Sequence, residues 1–160
     1  METDARRVKP ETENLIREAA DGLRLRDVIL YESRLFRECV LPDVEDFEAL
    51  QQHKRGVRFS IGECENGQTL THEFRVLVSL GERVVDNAAK DDPQVYFGVE
   101  ADYLVVYDML REVSEEALKA FADFNAVHNV WPFWRQHVFD LIGQARLTPL
   151  QVPLFSGNGQ

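Results

Sequence analysis

The chain has 160 residues, 44% of them hydrophobic, and a formal net charge of −10. This length and hydrophobic content fit one domain with its own core and exclude a disordered chain. The negative charge argues against a nucleic-acid partner, because phosphate would be repelled, and it favours basic, unfolded segments as partners.

No apolar run approaches the roughly 20 residues of a membrane span, and the N-terminal segment has no apolar core of the kind that signal peptides carry. The two cysteines, Cys39 and Cys64, form no motif. The sequence therefore predicts a cytoplasmic protein that is not inserted in a membrane and whose cysteines stay reduced.

The first predicted element is a short helix over residues 10–20, because its apolar residues recur on one side. Gly22 follows as a typical helix end. We expect a single domain over residues 1–160, in which residues 1–22 form an N-terminal extension that contains this helix.

A long strand is predicted over residues 23–36, which are rich in β-branched and aromatic side chains. Residues 40–55 then break the strand pattern. They predict a crossover to the next strand, either as a solvated connection with Phe47 in the core or as a mobile flap over a groove.

Three further strands are predicted where apolar and polar residues alternate, over residues 57–61, 70–80 and 95–107. Asn-Gly at residues 66–67 is the strongest hairpin signal in the chain, and the polar residues 86–92 predict a longer loop. This alternation indicates a sheet with one covered face, and the short connections indicate antiparallel pairing.

Helices follow the predicted sheet. Ser114 is a favourable N-cap, and the acidic residues after it suit the positive end of a helix. Residues 125–129 are expected to kink this helix or to divide it in two. From Trp131 to Ile142 apolar residues recur at spacings of three and four, which places them on one side. The predicted fold class is therefore α+β, a four-stranded antiparallel sheet with C-terminal helices on one face.

The sequence carries no recognisable catalytic or cofactor motif. Its four histidines have no metal-ligand spacing with each other or with the cysteines. A phosphate-binding loop and a nucleophile elbow are also missing from the sequence. We therefore predict a protein that is not an enzyme and that uses no metal or other cofactor.

The segment after the last helix has a different character. Residues 147–155 combine large apolar side chains with Pro149 and Pro153, and each proline disfavours the helical conformation in the residue before it. The segment is therefore predicted to be an extended arm. Its apolar side chains must be buried on the same domain, on a sister subunit or on a bound client.

Two C-terminal motifs carry a family resemblance. Trp-Pro-Phe-Trp-Arg at residues 131–135, then a helix and Leu-Thr-Pro-Leu-Gln-Val-Pro-Leu-Phe at residues 147–155, resemble the C-terminal signature of SecB-type export chaperones. The order of the predicted strands, including one that ends in Val-Val-Tyr-Asp, is also similar to that family. The resemblance implies ATP-independent holding of unfolded polypeptides by a homotetramer. In such a dimer of dimers the sheets lie outside, the long helices lie at the centre, and first strands pair between protomers.

The resemblance also implies positions for two kinds of site. Hydrophobic grooves formed by the crossover, the second strand and the arm would bind clients through Leu41, Phe47, Leu50, Phe59, Ile61, Leu147, Leu150 and Val152. The first strand and the C-terminal helix would supply an oligomer interface through Val28, Leu30, Phe121, Trp131 and Trp134.

Only part of the family's contact with the SecA motor is matched. Leu80 and Glu82 fit one part of that contact, whereas Ser33 and Arg37 stand where motor-binding members carry acidic residues. The chain also stops shortly after Phe155, without the final helix and the basic tail by which those members engage the motor.

The helix before the first strand and the Val-Val-Tyr-Asp strand end are more similar to SecB-like chaperones paired with toxin–antitoxin systems. Those proteins hold an antitoxin by its hydrophobic C-terminal extension. The expected client is therefore either a secretory precursor or a dedicated antitoxin. Two other interpretations stay open: a non-catalytic oligomeric scaffold whose arm only packs between protomers, and a small-ligand or enzymatic domain with a pocket near Trp131 and Trp134.

Overall fold

The structure, a computed structural model, describes residues 9–38, 49–67, 69–86, 91 and 93–154. An N-terminal helix precedes four strands, and a long helix with a π-helical middle segment follows them. In chain order the elements are α1 (Pro10–Gly22), β1 (Leu23–Arg37), β2 (Ala49–Asn66), β3 (Thr69–Asp86), β4 (Val95–Met109), α2 (Glu115–Phe121), the π segment (Ala122–Ala126) and α3 (Val127–Ala145).

The strands form one antiparallel sheet in the order β1-β4-β3-β2. The first two strands in the chain are therefore the two edges of the sheet. The connection between them has to pass from one edge to the other, as the predicted crossover does. Leu41 and Phe47 belong to that connection and lie outside the described residues.

One face of the sheet is covered, as the alternation predicts. On β3 and β4 the side chains that point to this face are buried and meet across the strands, Val76 opposite Val105 and Val78 opposite Tyr103. The same face carries Phe74, Leu80, Val99, Ala101 and Tyr107. The predicted α+β fold, with helices on one face of a four-stranded sheet, is confirmed.

The helices bury their apolar side on that face. Val130, Trp134, Val138 and Ile142 of α3 are all buried, at spacings of four. At the start of α2 the hydroxyl of Ser114 accepts a hydrogen bond from the amide of Ala117 at 3.3 Å, which confirms the predicted N-cap.

The expected kink at residues 125–129 is corrected to a π-helical segment that begins at Ala122. Phe121 and Val127 are six residues apart, and this spacing would put them on different sides of a regular α-helix. The wider π turns shift the apolar side around the axis. Both residues are buried as a result, at 5% and 0% exposure.

Two strands are longer than predicted. β2 begins at Ala49, although residues 49–55 are mostly polar, and β3 continues to Asp86. Ala49 pairs with Asp86 and Arg55 with Leu80, so backbone pairing holds this polar stretch in an extended conformation at the sheet edge. Gly67, with φ of 67°, lies in the turn of the predicted hairpin, between β2 and β3.

Among the described residues, no helix is long and apolar enough to cross a membrane.

Candidate functional site

The arm begins at a defined helix end. Arg146 has left-handed backbone angles (φ 55°, ψ 38°), and its amide donates to the carbonyl of Gly143 at 3.3 Å. The amide of Leu147 donates to the carbonyl of Ile142 at 3.2 Å. This pair of bonds is the Schellman pattern, which reverses the chain direction. Leu147 then packs against the core, and the arm continues without helical structure as predicted.

Side chains from two elements hold the arm by three consecutive carbonyl groups. The indole N–H of Trp131 donates to Pro153 at 2.7 Å, and Nε of Arg135 donates to Val152 at 2.9 Å. Nε2 of Gln51 donates to the third carbonyl, that of Gln151, at 2.8 Å. Trp131 and Arg135 are one helical turn apart and so share one side of α3. The two C-terminal motifs noted in the sequence therefore contact each other directly.

Gln51 joins the arm to the sheet. Its amide oxygen accepts from the backbone N–H of Gln151 at 3.3 Å, which completes a reciprocal pair of bonds like those between strands. Its second N–H donates to Oε2 of Glu82 at 2.9 Å. Glu82 is 4% exposed, and burial raises the pKa of its carboxyl group.

An open trough of about 780 Å³ lies between the start of β2, α3 and the arm. Its walls combine proline, aliphatic and aromatic surface with amide and cationic groups. They are formed by Gln51, His53, Pro132, Arg135, Gln136, Phe139, Leu150, Gln151, Val152 and Pro153. Phe139 is 75% exposed and adds a large aromatic surface to the wall of the trough.

The structure brings together only some of the predicted client-binding residues. Leu150 and Val152 line the trough. Leu50 is 40% exposed but pairs with Val85 on the opposite face of β2 from Gln51.

Phe59 and Ile61 lie on the trough side of β2, but far along the strand. Eight residues separate Gln51 from Phe59, a distance of about 26 Å in an extended chain. Phe59 packs on Phe74 with ring centroids 5.5 Å apart, whereas Ile61 is 53% exposed. These two residues therefore form a second apolar surface rather than a part of the trough.

Sequence reasoning missed several trough residues. Phe139, Gln136 and Pro132 share one side of α3. That side lies roughly opposite the apolar positions that face the sheet, so the apolar periodicity did not indicate it. Gln51 and His53 were assigned to an irregular crossover. An exposed aromatic residue off the core-facing side of a helix was the one available signal.

The residues predicted for the oligomer interface divide into two groups. Leu30 is 47% exposed and Val28 is half-buried, both on the edge strand β1, and Trp131 is half-buried beside the arm. Phe121 and Trp134 are core residues of the protomer at 5% and 1% exposure, because their side of the helix faces the chain's own sheet. This is a correction, since neither side chain offers surface to a partner.

Of the positions considered for motor contact, Leu80 and Glu82 are buried, whereas Ser33 and Arg37 are exposed but bond to other elements of the protomer. Leu80 is 2% exposed and Glu82 is bonded to Gln51. Ser33 shares a 2.6 Å hydrogen bond with Nε2 of His137, and the guanidinium of Arg37 donates to the carbonyl of Ala145. All four therefore contribute to internal packing or to the joint between the sheet and α3.

The other face of the sheet carries ion pairs. Glu73 accepts hydrogen bonds from Arg26 and, at 2.8 Å, from Arg75, and these bonds lower the pKa of Glu73 to about 2. Glu100 bonds to Arg34 at 2.8 Å and to Lys54 at 2.6 Å. Across the described ranges, no group of three or more His, Cys, Asp and Glu side chains could hold a metal ion.

Together the sheet order, the long C-terminal helix and the arm define a SecB-like α+β fold. A solved structure with this fold is that of a SecB-like chaperone from Mycobacterium tuberculosis in complex with a ChAD peptide from the HigA1 antitoxin. The superposition has a TM-score of 0.66 and covers 89% of this chain and 97% of that chain, at 19% identity. The likeness confirms the fold that the sequence resemblance implied. No family model and no curated protein sequence matches the chain.

Proposed function

We propose that this protein is an ATP-independent holdase that binds extended, unfolded polypeptide segments in the trough between β2, α3 and the arm. The observation that carries this proposal is the open trough itself, with Phe139 at its mouth and Leu150 and Val152 in its wall. Burial of each large apolar client side chain contributes roughly 1.5–3 kcal/mol before ordering costs. Several such contacts along one segment add by multivalency.

The proposed client is the apolar C-terminal segment of an antitoxin. The M. tuberculosis chaperone with the same fold binds an antitoxin peptide, which supports this choice. Secretory precursors are the runner-up, since Leu80 and Glu82, the two residues predicted for motor contact, are buried in the protomer. Affinity capture from the source cells distinguishes the two clients. One dominant partner would support an antitoxin, and many different precursors would support secretory clients.

The proposed assembly is a homotetramer, a dimer of dimers in which β1 strands pair. β1 bonds only to β4 among the described strands, so no other described strand pairs with the backbone groups of its outer edge. Large apolar side chains are exposed along it, namely Leu25, Ile29, Leu30 and Tyr31, at 39–65%. An edge strand with such a surface would promote aggregation unless a partner covers it.

The test replaces two trough residues by aspartate. Phe139→Asp with Leu150→Asp should abolish suppression of aggregation of an unfolded model protein, measured by light scattering without nucleotide, because the trough then presents charge to apolar side chains. The matched control is Leu110→Asp, which changes a residue 58% exposed outside the trough and should leave activity unchanged.

A wild-type tetramer with no affinity for unfolded peptides would overturn the holdase proposal and support the scaffold interpretation. Unchanged activity of the double variant would show that the protein is a holdase whose clients bind outside the trough, for example at Phe59 and Ile61.

A further inference from the structure

Among the described residues, the ionisable groups that line the trough differ in sign from the net charge of the chain. The whole sequence has a net charge of −10. Yet no described carboxylate lines the trough, and its ionisable lining groups are Arg135 and His53. The remaining polar groups there are the amides of Gln51, Gln136 and Gln151.

Arg135 uses only part of its guanidinium group to hold the arm. Nε donates to the carbonyl of Val152, and no other described residue bonds to this side chain. A guanidinium has five N–H donors in a planar fork, so four remain available at the exposed wall of the trough. Such a fork matches the two oxygens of a carboxylate.

Two described carboxylates on the elements around the trough are engaged with glutamine side chains. Glu82 is buried behind Gln51 and accepts the hydrogen bond from its amide. Asp140 lies more than one turn further along α3 and accepts a hydrogen bond from Gln136 at 2.8 Å. Neither forms an ion pair with Arg135, so among the described residues its charge has no carboxylate partner beside the apolar surface.

We infer that the trough selects client segments in which a carboxylate side chain lies next to large apolar residues, with the carboxylate on Arg135 and an apolar side chain against Phe139 and Leu150. This inference rests on the proposed function and specifies its client chemistry. It runs against the preference for basic segments that the total charge suggests. The overall repulsion is screened beyond about 8 Å at physiological salt, whereas the contact with Arg135 is at short range.

The experiment compares three probe peptides with the full-length protein. They share one apolar sequence and carry Glu, Gln or Lys at the same central position. Fluorescence anisotropy should give a dissociation constant about three- to tenfold lower for the Glu peptide than for the Gln peptide, and the highest value for the Lys peptide. The Glu preference should shrink between about 0.05 and about 0.5 M salt because the pair is exposed.

The variant Arg135→Gln removes the positive charge but can still position the arm, because a glutamine amide can donate to the carbonyl of Val152. In this variant the Glu and Gln peptides should bind within about twofold of each other, whatever the change in their common affinity. Arg58→Gln is the matched control, because Arg58 is exposed on β2 outside the trough and the change in net charge is the same. It should keep the Glu preference.

The outcomes distinguish this inference from the proposed function. Equal binding of the three peptides, tighter binding of the Lys peptide, or a Glu preference that survives in Arg135→Gln would overturn the inference alone. If none of the peptides binds, the holdase proposal fails and the inference fails with it.

Discussion

Gln51 makes three hydrogen bonds with one side-chain amide, two to the backbone of Gln151 and one to the buried Glu82. Gln51→Ala removes all three and leaves the Glu82 carboxyl buried without this partner. An unsatisfied buried polar group costs about 1–3 kcal/mol, so we expect a loss of unfolding free energy of this size in urea denaturation. Hydrogen exchange at Gln151 should also accelerate, because its amide loses its acceptor.

The neighbouring residue provides the control for this change. Gln52 accepts a hydrogen bond from Nε of Arg83 at 2.8 Å on the other face of β2, in an exposed setting. Gln52→Ala should therefore cost no more than about 0.5 kcal/mol. Equal losses in the two variants, or normal protection of Gln151 in Gln51→Ala, would contradict the role of Gln51 as the anchor of the arm.

Glu73 makes stability depend on pH in the acid range. The bonds from Arg26 and Arg75 lower its folded pKa to about 2 from an ordinary value near 4.5. Its contribution to stability is therefore complete above about pH 4.5 and is lost as the pH falls towards 2. Glu73→Gln removes this titration. Urea unfolding from about pH 5 to about pH 2.5 should show a steeper loss for the wild type than for the variant.

A second carboxyl on the same sheet tests whether this effect is specific. Glu63 is exposed, and its one described ion pair is a 3.9 Å contact with His72. Glu63→Gln should keep the acid dependence of the wild type. Identical pH profiles for the wild type and Glu73→Gln would show that the arginine pair does not stabilise the folded carboxylate.

At the scale of elements, the sequence predicted those whose side chains alternate between core and solvent. β3, β4 and α3 have strong periodicities because each buries one side against the others. The first half of β2 was not predicted, since residues 49–55 are polar and are held by pairing with residues 80–86. Pairing between distant segments leaves no local pattern, so a sequence read one window at a time cannot detect it.

The same limit applies to the candidate site. The arm was predicted as an extended segment, and Leu150 and Val152 were placed in the groove from the family resemblance. The position of the arm depends on Gln51, one hundred residues earlier in the chain. Trp131 was predicted as an interface residue from the family resemblance, and its indole N–H bonds to the arm. A hydrogen bond between residues far apart in the chain depends on the tertiary structure, so residue type alone does not predict it.

At the scale of the molecule, the two edges of the sheet differ in the apolar surface that they expose. Both edge strands carry charged residues, such as Lys54 on β2 and Arg24 on β1, which discourage pairing with another strand. β1 exposes four large apolar side chains, whereas the described part of β2 exposes two, Leu50 and Ile61. The β1 edge therefore offers the larger apolar surface to a second copy of the chain.

This asymmetry predicts that one charge on β1 changes the oligomeric state. Leu30→Lys should dissociate the proposed tetramer into smaller species in sedimentation velocity, because a lysine on an edge strand must be desolvated before another strand can pair beside it. Leu70→Lys, at a residue 52% exposed on β3 near the hairpin, is the matched control and should leave the assembly intact. A monomeric wild type, or a Leu30→Lys variant that sediments as the wild type does, would show that β1 does not form the subunit interface.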